Sequence, residues 1–202
     1  TTTTQRIYNK DTRNIEYIKC TAPTSSVDNQ KTGTITLATY LTIAGKVQRY
    51  MDRYLIAPNY SSYSTLGTRF GYENLIYTYS KILNTYNNTK TLPTTIQVLP
   101  WSYITNYKGS FTIAQTIEAA NWVQTYIETN QKLPTSVTIT GTNLQGETIT
   151  TTLTMPTFLN LITTITQKIN KKDNTPADLA GNYKTATSPK DCQRIGNMSL
   201  AT

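Results

Sequence analysis

The sequence predicts a mainly helical chain with short β segments, an α+β fold built from tandem helix–proline–extended units. Three observations lead there. Thr36–Pro58 and Thr112–Pro134 align without a gap at an offset of 76 residues, with Ala44, Val47, Gln48, Tyr50 and Pro58 matching Ala120, Val123, Gln124, Tyr126 and Pro134. A self-match at fixed offset signals a repeat architecture. In both copies apolar residues recur in steps of three and four, at Leu37, Leu41, Ala44, Val47 and Met51 and at Ile113, Ile117, Ala120, Val123 and Ile127, so each predicts an amphipathic helix. Finally, Pro58, Pro93, Pro134 and Pro176 each follow a predicted helix, at spacings of 35, 41 and 42 residues.

The elements follow in order. Residues 1–33 read as an extended leader or linker, with a Thr-, Ser-, Pro- and Asn-rich stretch over 21–33. The first helix runs from about Leu37 to Tyr54, with Thr36 as its N-cap and Pro58 forcing its exit. A polar loop carries Tyr60 and Tyr63. The second helix spans about Gly71 to Tyr86, with Glu73 in its first turn and Leu75, Ile76, Tyr79, Ile82 and Leu83 on its apolar face. Ile96–Leu99 is a short strand, and Trp101, Tyr103 and Tyr107 follow in a loop. The third helix starts at Thr112, which has capping-box spacing with Gln115. Val137–Ile139 and Thr148–Leu153 form a hairpin around Gly141 and Gly146, a small β unit near 137–153. The fourth helix follows Thr154, with Pro156 in its first turn and Phe158, Leu159, Ile162, Ile165 and Ile169 on its apolar face. The expected count is about four helices. The expected organisation is a leader (1–33), a first repeat pair (34–110), a second repeat pair (111–172) and a polar C-terminal tail (173–202). One unit cannot bury its stripe alone, whereas stacked neighbours can.

Composition narrows the function. The 202-residue chain carries 19 basic and 11 acidic residues, a net charge of +8, and threonine is its commonest residue. The charge is dispersed, with Lys168, Lys171 and Lys172 the nearest thing to a run. Such a surface either attracts polyanions or simply keeps the chain in solution. The charge alone leaves nucleic acid, anionic lipid and acidic polysaccharide open as polyanions; no nucleic-acid partner is expected. Few ions and many Thr, Asn and Tyr residues suit an extracellular setting. There is no histidine, which excludes Ser-His-Asp and Cys-His catalysis within this chain. No metal and no cofactor are expected, and no apolar run approaches the roughly 18 residues of a membrane span. Thr1 stands where an initiator Met would, as expected of a mature or trimmed form. Cys20 and Cys192 lie near opposite ends. They read either as a disulfide tying the tails, in an oxidising compartment, or as two free thiols.

The string from Leu66 to Leu83, LGTRFGYENLIYTYSKIL, followed by LPTTIQVLPW, resembles the pseudomurein-binding repeat. So do EAANWVQTYIETNQKLPTSVTI and TMPTFLNLI. The resemblance covers residues 34–172 and departs from the family pattern at Ala57-Pro58 and in a longer hairpin after Pro134. It implies non-catalytic attachment to pseudomurein, an archaeal wall polymer whose uronic acid makes it anionic, in keeping with the basic charge. The family occurs in archaeal surface adhesin-like proteins and in the wall-targeting region of pseudomurein endoisopeptidases. The cysteine-peptidase module of the latter has no counterpart here.

A carbohydrate polymer is gripped by flat aromatic faces and hydrogen-bonding rims, and binding groups concentrate on loops. Two clusters fit: Tyr60 and Tyr63 with Arg69, and Trp101, Tyr103 and Tyr107 with Lys108. Trp122, Tyr50 and Tyr126 read as packing residues beside the helical stripes. Asp52 and Glu128 coincide at the repeat offset and read as solvated helix ends rather than a hydrolytic pair, so no enzyme is expected. Asn59, Asn87 and Asn197 open Asn-x-Ser/Thr sequons in expected loops or tails, candidate glycosylation sites. The leading expectation is an extracellular, cell-wall or cell-surface protein binding pseudomurein through tandem repeats. The alternative is a structural subunit of a surface filament or layer, in which copies of the chain pair through their terminal segments.

Overall fold

The computed structural model describes residues 21–62, 64–181 and 183–185. Cys20, Cys192, Tyr63 and Asn197 lie outside the described residues. The chain divides into two compact units between Ser102 and Tyr103. Each runs strand, helix, two strands, helix, strand.

The first unit contains β1 (Gly33–Thr36), α1 (Leu37–Tyr54), β2 (Tyr60–Ser61), β3 (Phe70–Gly71), α2 (Tyr72–Thr89) and β4 (Thr95–Val98). β1 pairs antiparallel with β4, Ile35 opposite Ile96, and β2 pairs with β3. α1 starts at Thr36, whose hydroxyl accepts from the Thr39 amide at 3.3 Å. It ends on Leu55 in a left-handed conformation, where the amide closes onto the Met51 carbonyl. Ile35, Tyr40, Ile43, Phe70, Leu75, Ile82, Ile96 and Val98 form the core. Tyr40 is buried whole because its hydroxyl donates to the Pro93 carbonyl at 2.7 Å.

The segment before β1 is fastened to this unit. Gly71, the N-cap residue of α2, makes no side-chain cap bond of its own. Ser26 and Asp28 cap the helix instead: Ser26 Oγ accepts from the Tyr72 amide at 3.1 Å, and Asp28 Oδ1 from the Gly71 amide at 2.9 Å. Ser26 Oγ also donates to the Glu73 carboxylate. Asp28 Oδ2 accepts from the Asn74 amide group at 3.2 Å and from the Trp101 backbone amide at 3.0 Å. A carboxylate here faces the positive end of α2, and with Ser26 it accepts from four donors around the helix start. Further down, Asn29 and Lys31 donate to the Arg69 and Leu66 carbonyls at 2.9 Å each.

α3 (Trp101–Asn106) spans the division of the chain. The sequence placed Trp101 and Tyr103 on a loop. Pro100 ahead of Trp101 is a helix-start signal that the tyrosine-rich composition obscured.

The second unit contains β5 (Tyr107–Phe111), α4 (Ile113–Asn130), β6 (Ser136–Thr142), β7 (Thr148–Thr154), α5 (Met155–Asn170) and β8 (Ala177–Ala180). Its strands form one antiparallel sheet in the order β7-β6-β5-β8. The expected hairpin is β6–β7, longer than expected at both ends. Its turn is held by Asn143, whose side-chain oxygen accepts from the Gln145 and Glu147 amides at 2.9 Å each, with Gly146 at positive φ. α4 carries the expected capping box: Gln115 donates its amide to Thr112 Oγ1 at 3.2 Å, and the Thr112 amide donates to Gln115 Oε1 at 2.9 Å. The core joins Phe111, Ala119, Val123, Val137, Ile139, Leu153, Phe158, Leu161, Ile165, Ala177 and Leu179. Gly141 lets the β6 backbone close onto Phe111; a Cβ there would meet the ring at 2.6 Å. At the end of α5, Lys168 Nζ reaches Asp173 at 2.6 Å and Thr175 at 2.7 Å, and holds the Asp173 carboxyl well below the usual carboxylate range.

The α+β class expected from the sequence holds, with a larger share of strand than the mainly helical reading gave it: the described residues hold five helices and eight strands. Ala177–Ala180, expected within a polar tail, is strand β8, with Ala177 and Leu179 buried. The apolar stripes are borne out in part: Leu75, Ile82, Val123, Phe158 and Ile165 are buried as expected, and the buried faces are shifted at other positions. α1 buries Tyr40 and Ile43 and exposes Leu41; α4 buries Thr116, Ala119 and Val123 and exposes Ile117. α2 buries Asn74 and Thr78 and exposes Ile76 and Leu83, while α5 buries Thr157 and Leu161 and exposes Leu159 and Ile169. These buried polar groups find partners: Thr116 donates to the Thr112 carbonyl one turn back at 2.9 Å, and Asn74 donates to the Leu99 carbonyl, 25 residues on, at 2.9 Å.

Candidate binding surfaces

In the first unit, Tyr60 opens β2 with its side chain exposed, and the Arg69 guanidinium lies 5.8 Å from its ring centroid. That is within cation–π range. The expected pairing of Tyr60 with Arg69 is therefore a contact. Trp101 is half-buried at the start of α3, next to the Asp28 capping network, so it displays less surface than a loop ring would. Asn59 is exposed just ahead of β2. Asn87 is exposed too, but sits in the last turn of α2 rather than a loop, where Lys90 Nζ donates to its side-chain oxygen at 3.2 Å.

In the second unit, the Tyr103 and Tyr107 rings meet with centroids 5.6 Å apart. The Tyr107 hydroxyl donates to Asp178 Oδ1 at 3.5 Å. Burial, then the Asp178 carboxylate, pushes the Tyr103 phenol up to about 12 and raises Tyr107 as well. The fold thus favours the neutral phenol. Its stabilisation is complete below the ordinary value of 10.0 and is lost as pH climbs towards 12. Urea unfolding at about pH 9 and about pH 11 is expected to show the wild type losing more stability with alkali than Tyr103→Phe. Lys108 lies in β5, half-buried, beside Thr152, Thr154, Thr157 and Tyr183, which line a small pocket of about 200 Å³ with it.

Two aromatic pairs stand on helices α1 and α4, and three of their rings, Tyr50, Trp122 and Tyr126, were expected to be packing residues. On α1 the Tyr50 and Tyr54 rings lie 4.8 Å apart, both exposed, with the Arg53 guanidinium 5.4 Å from the Tyr54 ring. On α4 the Trp122 and Tyr126 rings lie 5.4 Å apart, and Trp122 is 49% exposed. A signal for this was present. At the 76-residue offset Trp122 falls opposite Lys46, a residue type that belongs in water. An exposed tryptophan set at a tilt against a tyrosine one helical turn away offers an apolar ring surface, and binding energy concentrates on such side chains.

Residues 107–139 match the family model of the pseudomurein-binding repeat. The match covers β5, α4 and the start of β6, so Trp122 and Tyr126 stand at its centre and Tyr107 and Lys108 at its beginning. The resemblance read over 34–172 is thereby established over this stretch. The pseudomurein-binding repeat is a binding repeat, not a catalytic one. No curated protein matches the chain. Among the described residues, no helix is long and apolar enough to cross a membrane, and no three metal-ligating side chains cluster.

Proposed function

We propose that this chain is a non-catalytic extracellular protein that attaches to pseudomurein through tandem copies of one unit. The carrying observation is the exposed Trp122 ring, in contact with the half-buried Tyr126 ring, inside the stretch that matches the repeat family. Pyranose rings present flat C–H faces to such a ring surface. The net charge of +8 adds a longer-range attraction for an anionic wall.

Tandem copies are supported by the 76-residue offset. It relates the N-caps Thr36 and Thr112, two helices of 18 residues each, and the left-handed residues Leu55 and Gln131 that end them. The remaining contacts with the polymer are assigned to Tyr60, Tyr63, Arg69 and Trp101 and to Tyr103, Tyr107 and Lys108. A wall setting also suits a Cys20–Cys192 disulfide and glycans on Asn59, Asn87 and Asn197.

Co-sedimentation with isolated pseudomurein sacculi tests the reading. The chain is expected to pellet with them at low salt and to pellet less as salt shortens the Debye length to about 3 Å near 1 M. Recovery of the whole chain in the supernatant at low salt overturns it.

A further inference from the structure

Each unit has an apolar groove between its two long helices, at equivalent positions. Val47, Met51 and Ala57 line the groove of the first unit, and Val123, Ile127 and Leu133 line that of the second at the 76-residue offset. On the facing helices Leu75 and Ile76 match Phe158 and Leu159 at an offset of 83. The first groove is crossed by the chain itself. Thr21 and Ala22 lie along it, Thr21 pairs with Ile56, and the Ala57 amide donates to the Thr21 carbonyl at 3.0 Å. Ala57 is 5% exposed there, and a space of about 320 Å³ is left beside it. In the second groove Leu133, at the position of Ala57, is 63% exposed, and the space is about 730 Å³.

The chain that follows β8 leads into this second groove. Tyr183 stands beside Thr154 and Thr157 at the start of α5, and Thr185 is already part of the groove wall. We infer that the next residues, Ala186–Asp191, cross the groove between α4 and α5 as an extended segment. A carbonyl of that segment accepts from the Leu133 amide, as Thr21 does from Ala57.

Three observations select this occupant. Thr185-Ala186 repeats the dipeptide Thr21-Ala22 that crosses the first groove, and both are followed by Pro, Ser and Asp, at Pro23, Ser26 and Asp28 and at Pro189, Ser188 and Asp191. The reach is sufficient. Along α5 the wall runs from Met155 to Thr163, about 12 Å at the helical rise, which about four extended residues cover. The segment is also tethered at the groove, so any free peptide competes against a millimolar effective concentration. Covering Ile127, Leu133 and Leu159, all exposed, removes apolar surface from water and drives the docking. The direction differs from that in the first unit. Thr21 enters at the end of α1 and leads through Ser26 to the start of α2, whereas Tyr183 enters at the start of α5. Extended chains pair in either sense. Each unit is thus closed by chain from beyond its terminal strand, ahead of β1 in the first and behind β8 in the second.

The test uses the full chain and reads nuclear Overhauser contacts between methyl groups. The Ala186 methyl is expected to contact the Leu133 and Leu159 methyls. The Leu133 amide is expected to exchange about tenfold more slowly in the wild type than in Ala186→Asp, which would carry a charge into the groove. Leu159→Ser, an exposed change on the facing wall, should speed that exchange as well. Unchanged Leu153 and Leu161 methyl signals check that both variants fold, since these side chains are buried in the core. Contacts seen only between differently labelled copies give the groove to a second copy and overturn the inference. So does a wild type without Ala186 contacts whose Leu133 amide exchanges as fast as in the two variants. No polymer enters the test, so its failure and that of sedimentation with sacculi are independent.

Discussion

Trp122→Ala is expected to weaken attachment to pseudomurein sacculi by about thirtyfold, the equivalent of roughly 2 kcal/mol for truncating an aromatic anchor. Sedimentation isotherms read the effect. The fold should hardly notice, because the ring is 49% exposed and surface changes usually stay within about 0.5 kcal/mol. Binding lost with stability kept separates a contact residue from a packing one. Phe111→Ala is the contrasting control. That ring is fully buried in the second unit's core, and its removal is expected to cost about 3–5 kcal/mol of stability. An unchanged isotherm for Trp122→Ala removes this ring from the binding surface.

Asp28→Ala is expected to be the most damaging substitution outside the two cores. It strips the acceptor from the Gly71 amide, the Asn74 side chain and the Trp101 amide at once. Asn74 is 0% exposed, so water cannot replace the lost partner. At about 1–3 kcal/mol for each buried donor left unpaired, with partial relief from water at the more open positions, the loss should be about 3 kcal/mol. Asp28→Asn keeps one acceptor oxygen and should cost about half as much. Hydrogen exchange at Gly71 and Tyr72 locates the damage: both amides should exchange faster in Asp28→Ala. Wild-type protection there would show that the segment before β1 does not cap α2.

That segment also marks a boundary of what the sequence discloses. Its cap bonds join residues 43 to 46 positions apart, and no local pattern announces a helix whose cap comes from so far away. The four long helices, the capping box of Thr112 and the β6–β7 hairpin were legible because each rests on neighbours: periodicity, cap spacing, and glycine between β-prone arms. The direction of the helical stripes was legible only in part, at Leu75, Ile82, Val123, Phe158 and Ile165, which are buried as expected. Asn74, Thr78 and Thr116 enter the interior because short polar side chains bond to backbone or to each other, so polarity alone misassigned them. Their burial shifts the buried faces and leaves Leu41, Ile76, Ile117 and Leu159 outside. The same bias, a large ring taken for a core residue, hid the Trp122 surface, although its alignment with Lys46 held the correction.

The central claim is that the outward face of α4 meets the wall polymer. The direct measurement is amide shift mapping of the full chain with solubilised pseudomurein fragments. The largest changes are expected on Trp122, Tyr126 and their neighbours on α4, together with the Trp122 indole N–H. Fragments that bind while leaving those signals unmoved would contradict it.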